Sequence, residues 1–214
     1  MIPERPVTLA VTADLSLEAR LACPDSPSAG IVICHPHPLY GGDMDNPVVV
    51  RAQEVCAGLG FATLRFNFRG VGASGGAHGG GVGEQEDARA ALDALAKAVG
   101  GAPLALAGYS FGARIAALVG CQDRRVVGLA LIAPPLAMYD FSCLEGAQIP
   151  TLMVAGTIDS YCPTAELARL AERFPWATAV SIQGADHFFF GKLFPLGQAI
   201  EDWARRLPPD RAAR

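Results

Sequence analysis

The stretch Pro103-Leu104-Ala105-Leu106-Ala107-Gly108-Tyr109-Ser110-Phe111-Gly112-Ala113-Arg114-Ile115-Ala116-Ala117-Leu118 constrains the fold of this chain more than any other. A short apolar run, Leu104 to Ala107, stops at a glycine, and an alanine-rich, helix-favouring run resumes after Gly112. The pattern predicts a strand, a sharp turn and a helix. Gly108 and Gly112 flank Ser110 in the spacing G-x-S-x-G, and the missing Cβ at both positions lets the helix fold back over the strand it has just left. The serine is thereby pushed out at the carboxyl end of the strand. The Phe111 amide sits at a helix N-terminus, where free N–H groups and the dipole favour a negatively charged oxygen.

The rest of the chain fits one domain built around that turn. Its 214 residues are 51% hydrophobic, enough for a substantial core, and the 24 glycines and 16 prolines fall in punctuating clusters. Val7 to Thr12 and Leu15 to Ala22 mix apolar and polar residues near period two and predict an antiparallel edge hairpin. Ile31 to Cys34 is a continuous apolar run, as in a central strand covered on both faces. Helix Pro47–Leu59, strand Phe61–Phe68, helix Glu84–Val99, the strand and helix around Ser110, strands Val126–Ala133 and Thr151–Ala155, helix Thr164–Phe174, strand Thr178–Ile182 and helix Phe194–Leu207 then alternate. Such alternation implies a mostly parallel sheet with helices on both faces and a ligand site outside the carboxyl ends of its strands.

The formal charge of −4 and the lack of any Lys/Arg cluster argue against a nucleic-acid surface. No apolar run is long enough to span a bilayer, and no signal peptide is read at the N-terminus. Six cysteines, at 23, 34, 56, 121, 143 and 162, are scattered without C-x-x-C spacing, and most suit small buried residues kept reduced in a cytoplasmic protein.

Chemistry-bearing residues collect after the expected strands: His35-Pro36-His37-Pro38-Leu39-Tyr40-Gly41-Gly42, Asn67-Phe68-Arg69-Gly70, Ser110, Asp159 and Asp186-His187. On these motifs the chain resembles the α/β-hydrolase superfamily. Within it, His35 to Gly42, Arg65 to Ser74 and Gly184 to Phe189 resemble a group of lidless bacterial hydrolases related to dienelactone hydrolases and carboxylesterases. The resemblance implies an α/β-hydrolase fold without a lid domain.

A serine hydroxyl needs a base, and His187, in the turn after the last strand, is the candidate. Asp159 is the candidate acid that orients it, with Asp186 as a competitor whose adjacency to His187 points it away from the ring. The oxyanion hole is expected from the Phe111 amide and a second amide after Cys34. Pro36 and Pro38 carry no N–H, which narrows the choice; the resemblance implies a donor that follows a His-Gly-like pair, here His37-Pro38, so Leu39 comes first and Tyr40 second. Met138, Tyr139 and Phe141, in the short connection where relatives often insert a lid, are candidate substrate-lining residues, with a simple core role as the alternative.

His35 and His37 at i and i+2 lack further partners for a metal site. Gly70-Val71-Gly72-Ala73-Ser74-Gly75 fits G-x-G-x-x-G, yet more glycines intervene before the helix, so no dinucleotide site is read. Neither metal nor organic cofactor is expected. The reading is a serine hydrolase cleaving small-molecule esters or thioesters through an acyl-enzyme, with a peptidase or amidase, or a non-catalytic binding module, as alternatives.

Overall fold

The computed structural model describes residues 2–208. Among the described residues one eight-stranded sheet runs through the molecule in the order β1-β2-β4-β3-β5-β6-β7-β8. The hairpin β1 (Arg5–Ala10) and β2 (Ser16–Ala22) forms one edge, and β2 joins β4 (Ala62–Phe66) antiparallel. From β4 onward, through β3 (Gly30–Cys34), β5 (Leu104–Tyr109), β6 (Val126–Ile132), β7 (Thr151–Gly156) and β8 (Ala177–Ile182), every pairing is parallel.

Alternate side chains of a strand leave opposite faces of a sheet, so a strand covered on both sides reads as an unbroken apolar run. In β3, Ile31 and Ile33 enter one core while Val32 and Cys34 enter the other. The first core holds α1 (Pro47–Gly58) and α5 (Leu193–Ala204). The second holds α2 (Val82–Val99), α3 (Phe111–Gln122) and α4 (Thr164–Glu172).

The sequence anticipates each strand and helix, with ends displaced by a few residues. Helix α2 starts at Val82, ahead of Glu84, because Gly81 takes a left-handed φ of 92° and the Glu84 carboxylate accepts the Gly79 and Gly81 amides at 2.7 Å each. Strand β4 stops at Phe66, since the Phe68 amide turns to donate to His35 Nε2. The glycine-rich stretch after β4 is tied down by its neighbours. Asn67 bonds Glu18 and the Met44 amide, Glu18 accepts the Ala73 amide, and Arg69 pairs with buried Asp87.

The chain leaves β3 for β4 on one side and returns to β5 on the other, so the loops after β3 and β5 part to opposite faces and leave a crevice between them. The register sets Cys34 opposite Gly108, which brings the His35 loop level with the Ser110 turn.

At that turn the backbones touch. A Cβ on Gly108 would run into the Gly112 carbonyl, and one on Gly112 would lie 2.5 Å from the His35 carbonyl oxygen. Gly112→Ala is therefore expected to lower the unfolding free energy by at least about 2 kcal/mol in a urea titration, as overpacking against unyielding backbone does. Gly58→Ala, at the end of α1 with nothing within 4 Å, is expected to be neutral or to add up to about 1 kcal/mol.

Candidate active site

Ser110 adopts φ 55° and ψ −117°, a conformation costing ~1–3 kcal/mol for a residue with a Cβ. It is held from both sides: its amide donates to the Ile132 carbonyl at 2.8 Å, and its carbonyl accepts the Ala113 amide at 2.9 Å as α3 begins. Burial of Ile115 and Val119 in the same helix contributes ~1.5–3 kcal/mol each, which outweighs the strain.

His187 Nε2 lies 3.0 Å from Ser110 Oγ, and His187 Nδ1 lies 2.8 Å from Asp159 Oδ2. Asp159 is buried, and its other oxygen accepts the Tyr161 and Cys162 amides at 2.8 and 3.0 Å. A carboxylate accepting on both oxygens requires Nδ1 to carry the imidazole proton, which leaves Nε2 free to accept from the serine hydroxyl.

Two loops had to be joined for this. The Ile158 amide donates to the Ala185 carbonyl at 3.0 Å, the Gly184 amide donates to Thr157 Oγ1 at 2.8 Å, and a Cβ on Gly156 would collide with Ala185. Buried Phe189 anchors the far side, and the Tyr109 hydroxyl donates to the His187 carbonyl at 2.9 Å. Asp186 does not orient the imidazole. Its Oδ1 accepts the Phe188 and Phe190 amides at 3.1 and 3.2 Å and so closes the turn that carries His187.

A family model described as serine aminopeptidase, S33, matches residues 27–144. The chain belongs to the α/β serine hydrolase family. An uncharacterized protein of Rickettsia prowazekii is 38% identical over 198 residues, 87% of this chain and 83% of that protein. The structure of an α/β serine hydrolase homologue from Coxiella burnetii superposes with a TM-score of 0.85 at 35% identity, covering 92% of this chain and 96% of that one. A Xanthomonas campestris protein described as an α/β serine hydrolase without lid gives 0.86 at 31% identity, over 96% and 95%. In the present hydrolase β6 and β7 are joined by a short segment whose only regular structure is a 3-10 turn, Ser142–Gly146.

The expected oxyanion donors and substrate-lining residues fare unevenly in this hydrolase. The Phe111 amide opens α3. The Leu39 amide, however, donates to His37 Nδ1 at 3.2 Å and the Tyr40 amide to the His37 carbonyl at 3.1 Å, so both are already engaged. Among the described residues no acceptor meets the His37 amide, the first N–H after Pro36, while the His37 ring rests 4.8 Å from that of Phe111. Phe141 is a core residue at 2% exposure, packed under the Arg114 guanidinium, and does not line the open side. Tyr139 is half-buried against the same core, whereas Met138 is exposed.

Sequence reasoning named Met138 as a substrate-lining candidate but missed the apolar collar to which it belongs. Leu39, Tyr40, Met138, Ile158, Phe188 and Phe190 are all exposed, and all follow strands at the carboxyl edge that carries Ser110. Tyr161 and Phe188 bring their rings to 4.8 and 5.6 Å from that of His187. The grooves of about 590 Å³ between β8 and α5 and about 550 Å³ beside α4 are lined by no member of the Ser110–His187–Asp159 set.

His35 holds the loop from inside. It is fully buried, with Nδ1 2.6 Å from the Pro36 carbonyl and Nε2 accepting the Phe68 amide at 3.0 Å. Both ring nitrogens are spent, so this imidazole has none left for a metal. Burial lowers its pKa to about 4. Between pH 6.5 and 4 the unfolded chain binds a proton here that the folded chain refuses, so acid favours unfolding. Stability is expected to fall with decreasing pH across this window, with a contribution from His35 of up to about 1.4 kcal/mol per pH unit. Denaturant titrations at about pH 7, 6 and 5 check this. His35→Asn should be less stable near neutral pH and show a shallower pH slope, and an unchanged slope would contradict it.

Proposed function

We propose that this chain is a carboxylesterase- or thioesterase-type serine hydrolase that cleaves small to medium acyl esters without metal or organic cofactor. The observation that carries the reading is the single imidazole reaching both a strained serine hydroxyl and a buried carboxylate at the crevice of the sheet. Ser110 Oγ attacks the ester carbonyl and passes its proton to His187 Nε2. Asp159 keeps Nδ1–H in place and stabilises the imidazolium. The Phe111 and His37 amides receive the oxyanion, His37 in place of Leu39 or Tyr40. The tetrahedral intermediate collapses as His187 protonates the departing alcohol or thiol. Water activated by the same imidazole then releases the acid.

The apolar collar supports an apolar acyl group lying along an open surface. The family description favours a second reading, cleavage of a peptide from its N-terminus. Such a substrate calls for a carboxylate to receive its α-ammonium. The acids on the loops that carry His187 and Asp159 already serve the site's own geometry, Asp159 accepting from His187 and two amides and Asp186 accepting two amides on Oδ1 to shape the His187 turn. Ester cleavage is therefore the reading adopted, and a panel of aminoacyl p-nitroanilides beside p-nitrophenyl esters separates the two.

Ser110→Ala is expected to reduce kcat/KM on p-nitrophenyl butyrate by about 10³-fold or more; a variant that kept most of its turnover would end the proposal. Lengthening the acyl group from acetyl to hexanoyl should raise kcat/KM by about tenfold, as half-burial of the added methylenes would give. His37 has φ −57°, which proline accepts, so His37→Pro removes the amide at little backbone cost. It should lower kcat by about 10²–10³-fold, while His37→Ala, which keeps the N–H, should stay within about tenfold of the parent. Equal losses in the two variants would remove His37 from the oxyanion hole.

A further inference from the structure

The cysteines divide into two kinds. Cys34, Cys56 and Cys162 are buried, and burial pushes their thiols up, that of Cys56 to about 12; they behave as small packing residues. Cys121 and Cys143 are half-buried and adjacent. Cys121 lies in the last turn of α3 and Cys143 in the 3-10 turn between β6 and β7, and the two thiols are hydrogen-bonded to each other. Arg114 sits two turns before Cys121 on the same face of α3. Its Nη1 is 4.0 Å from Cys143 Sγ and donates to the Asp140 carbonyl, and its guanidinium lies 5.5 Å over the Phe141 ring.

This cation is fixed from three sides, and it faces a sulfur that already has a donor thiol beside it. The Cys121 hydrogen bond and Arg114 together outweigh burial and the opposing Asp140 carboxylate, drawing the Cys143 thiol down to about 7. A thiol so placed is substantially ionised at neutral pH and reactive, in contrast to the buried three.

We propose that Cys121 and Cys143 form a dithiol site that a hydroperoxide oxidises reversibly to an intramolecular disulfide. The Cys143 thiolate attacks one peroxide oxygen, the O–O bond breaks, and water leaves once the departing oxygen is protonated, with Cys143 now a sulfenic acid. The Cys121 sulfur then attacks the Cys143 sulfur, and hydroxide departs with the Cys121 proton as a second water. Two thiols lose two electrons and two protons, and one hydrogen peroxide becomes two waters. A thiol reductant restores the pair by exchange. The bond joins elements already in contact, the helix that opens with Phe111 and the segment that carries Met138 and Tyr139.

The test uses the intact, fully reduced protein and reads thiols, so its outcome is separate from that of the esterase proposal. Iodoacetamide at about pH 7 is expected to alkylate Cys143 about tenfold or more faster than half-buried Cys23. Titration with hydrogen peroxide, then alkylation and peptide mapping, should give a Cys121–Cys143 cross-linked peptide that dithiothreitol removes, while Cys34, Cys56 and Cys162 remain reduced. Cys121→Ser should stop at a Cys143 sulfenic acid trapped by dimedone. Alkylation of Cys143 no faster than of Cys23, or no Cys121–Cys143 peptide at peroxide doses that modify Cys23, would overturn the proposal.

Discussion

The close contact of backbone with backbone at the Ser110 turn is the constraint on which the rest of the structure depends. Gly108 lies against the Gly112 carbonyl, and Gly112 lies against the carbonyls of Cys34 and His35. Three segments, β5, α3 and the loop after β3, are thereby locked at distances that no side chain could share. Phe111 opens its helix beside the His37 ring as a result, and Ser110 projects into the crevice between β3 and β5. The strain at Ser110 is sustained because apolar packing along α3 exceeds it.

Position matters as much as identity in such a site. Holding reacting groups within hydrogen-bond reach accounts for a large share of rate acceleration, and displacements of about 1 Å are costly. The loops bearing Asp159 and His187 are accordingly bound to each other before either reaches Ser110, through Ala185 with Ile158 and Thr157 with Gly184. Buried Phe189 and Tyr109 fix them to the core beneath. His35 does the same for the loop after β3, in one neutral tautomer that satisfies both ring nitrogens.

Much of this is legible in the sequence, for reasons that differ by residue. The unbroken apolar runs of β3 and β5, the alternation of strand with helix, and the edge hairpin follow from periodicity and need no tertiary knowledge. Ser110, Asp159 and His187 can be selected because each follows a strand at one edge of a parallel sheet. The amides after Cys34 cannot be assigned the same way. Which N–H is free depends on where the His37 ring turns, and it turns onto the Leu39 amide. For Phe141 the sequence leaves a pocket role and a core role open, because an apolar residue in a connecting segment has no periodicity to show which way it faces; it faces inward, under Arg114. Most of the collar also escapes, since Ile158, Phe188 and Tyr40 belong to different loops and share only the carboxyl edge of the sheet.

The central claim is that Ser110 is the group which attacks an electrophile at this crevice, and covalent trapping tests it most directly. Treating the native protein with an alkyl fluorophosphonate and locating the added mass by peptide sequencing should find one phosphonylated residue, Ser110, with ester hydrolysis lost in proportion to labelling. An adduct on a different serine, or full labelling of Ser110 with hydrolysis intact, would contradict the account.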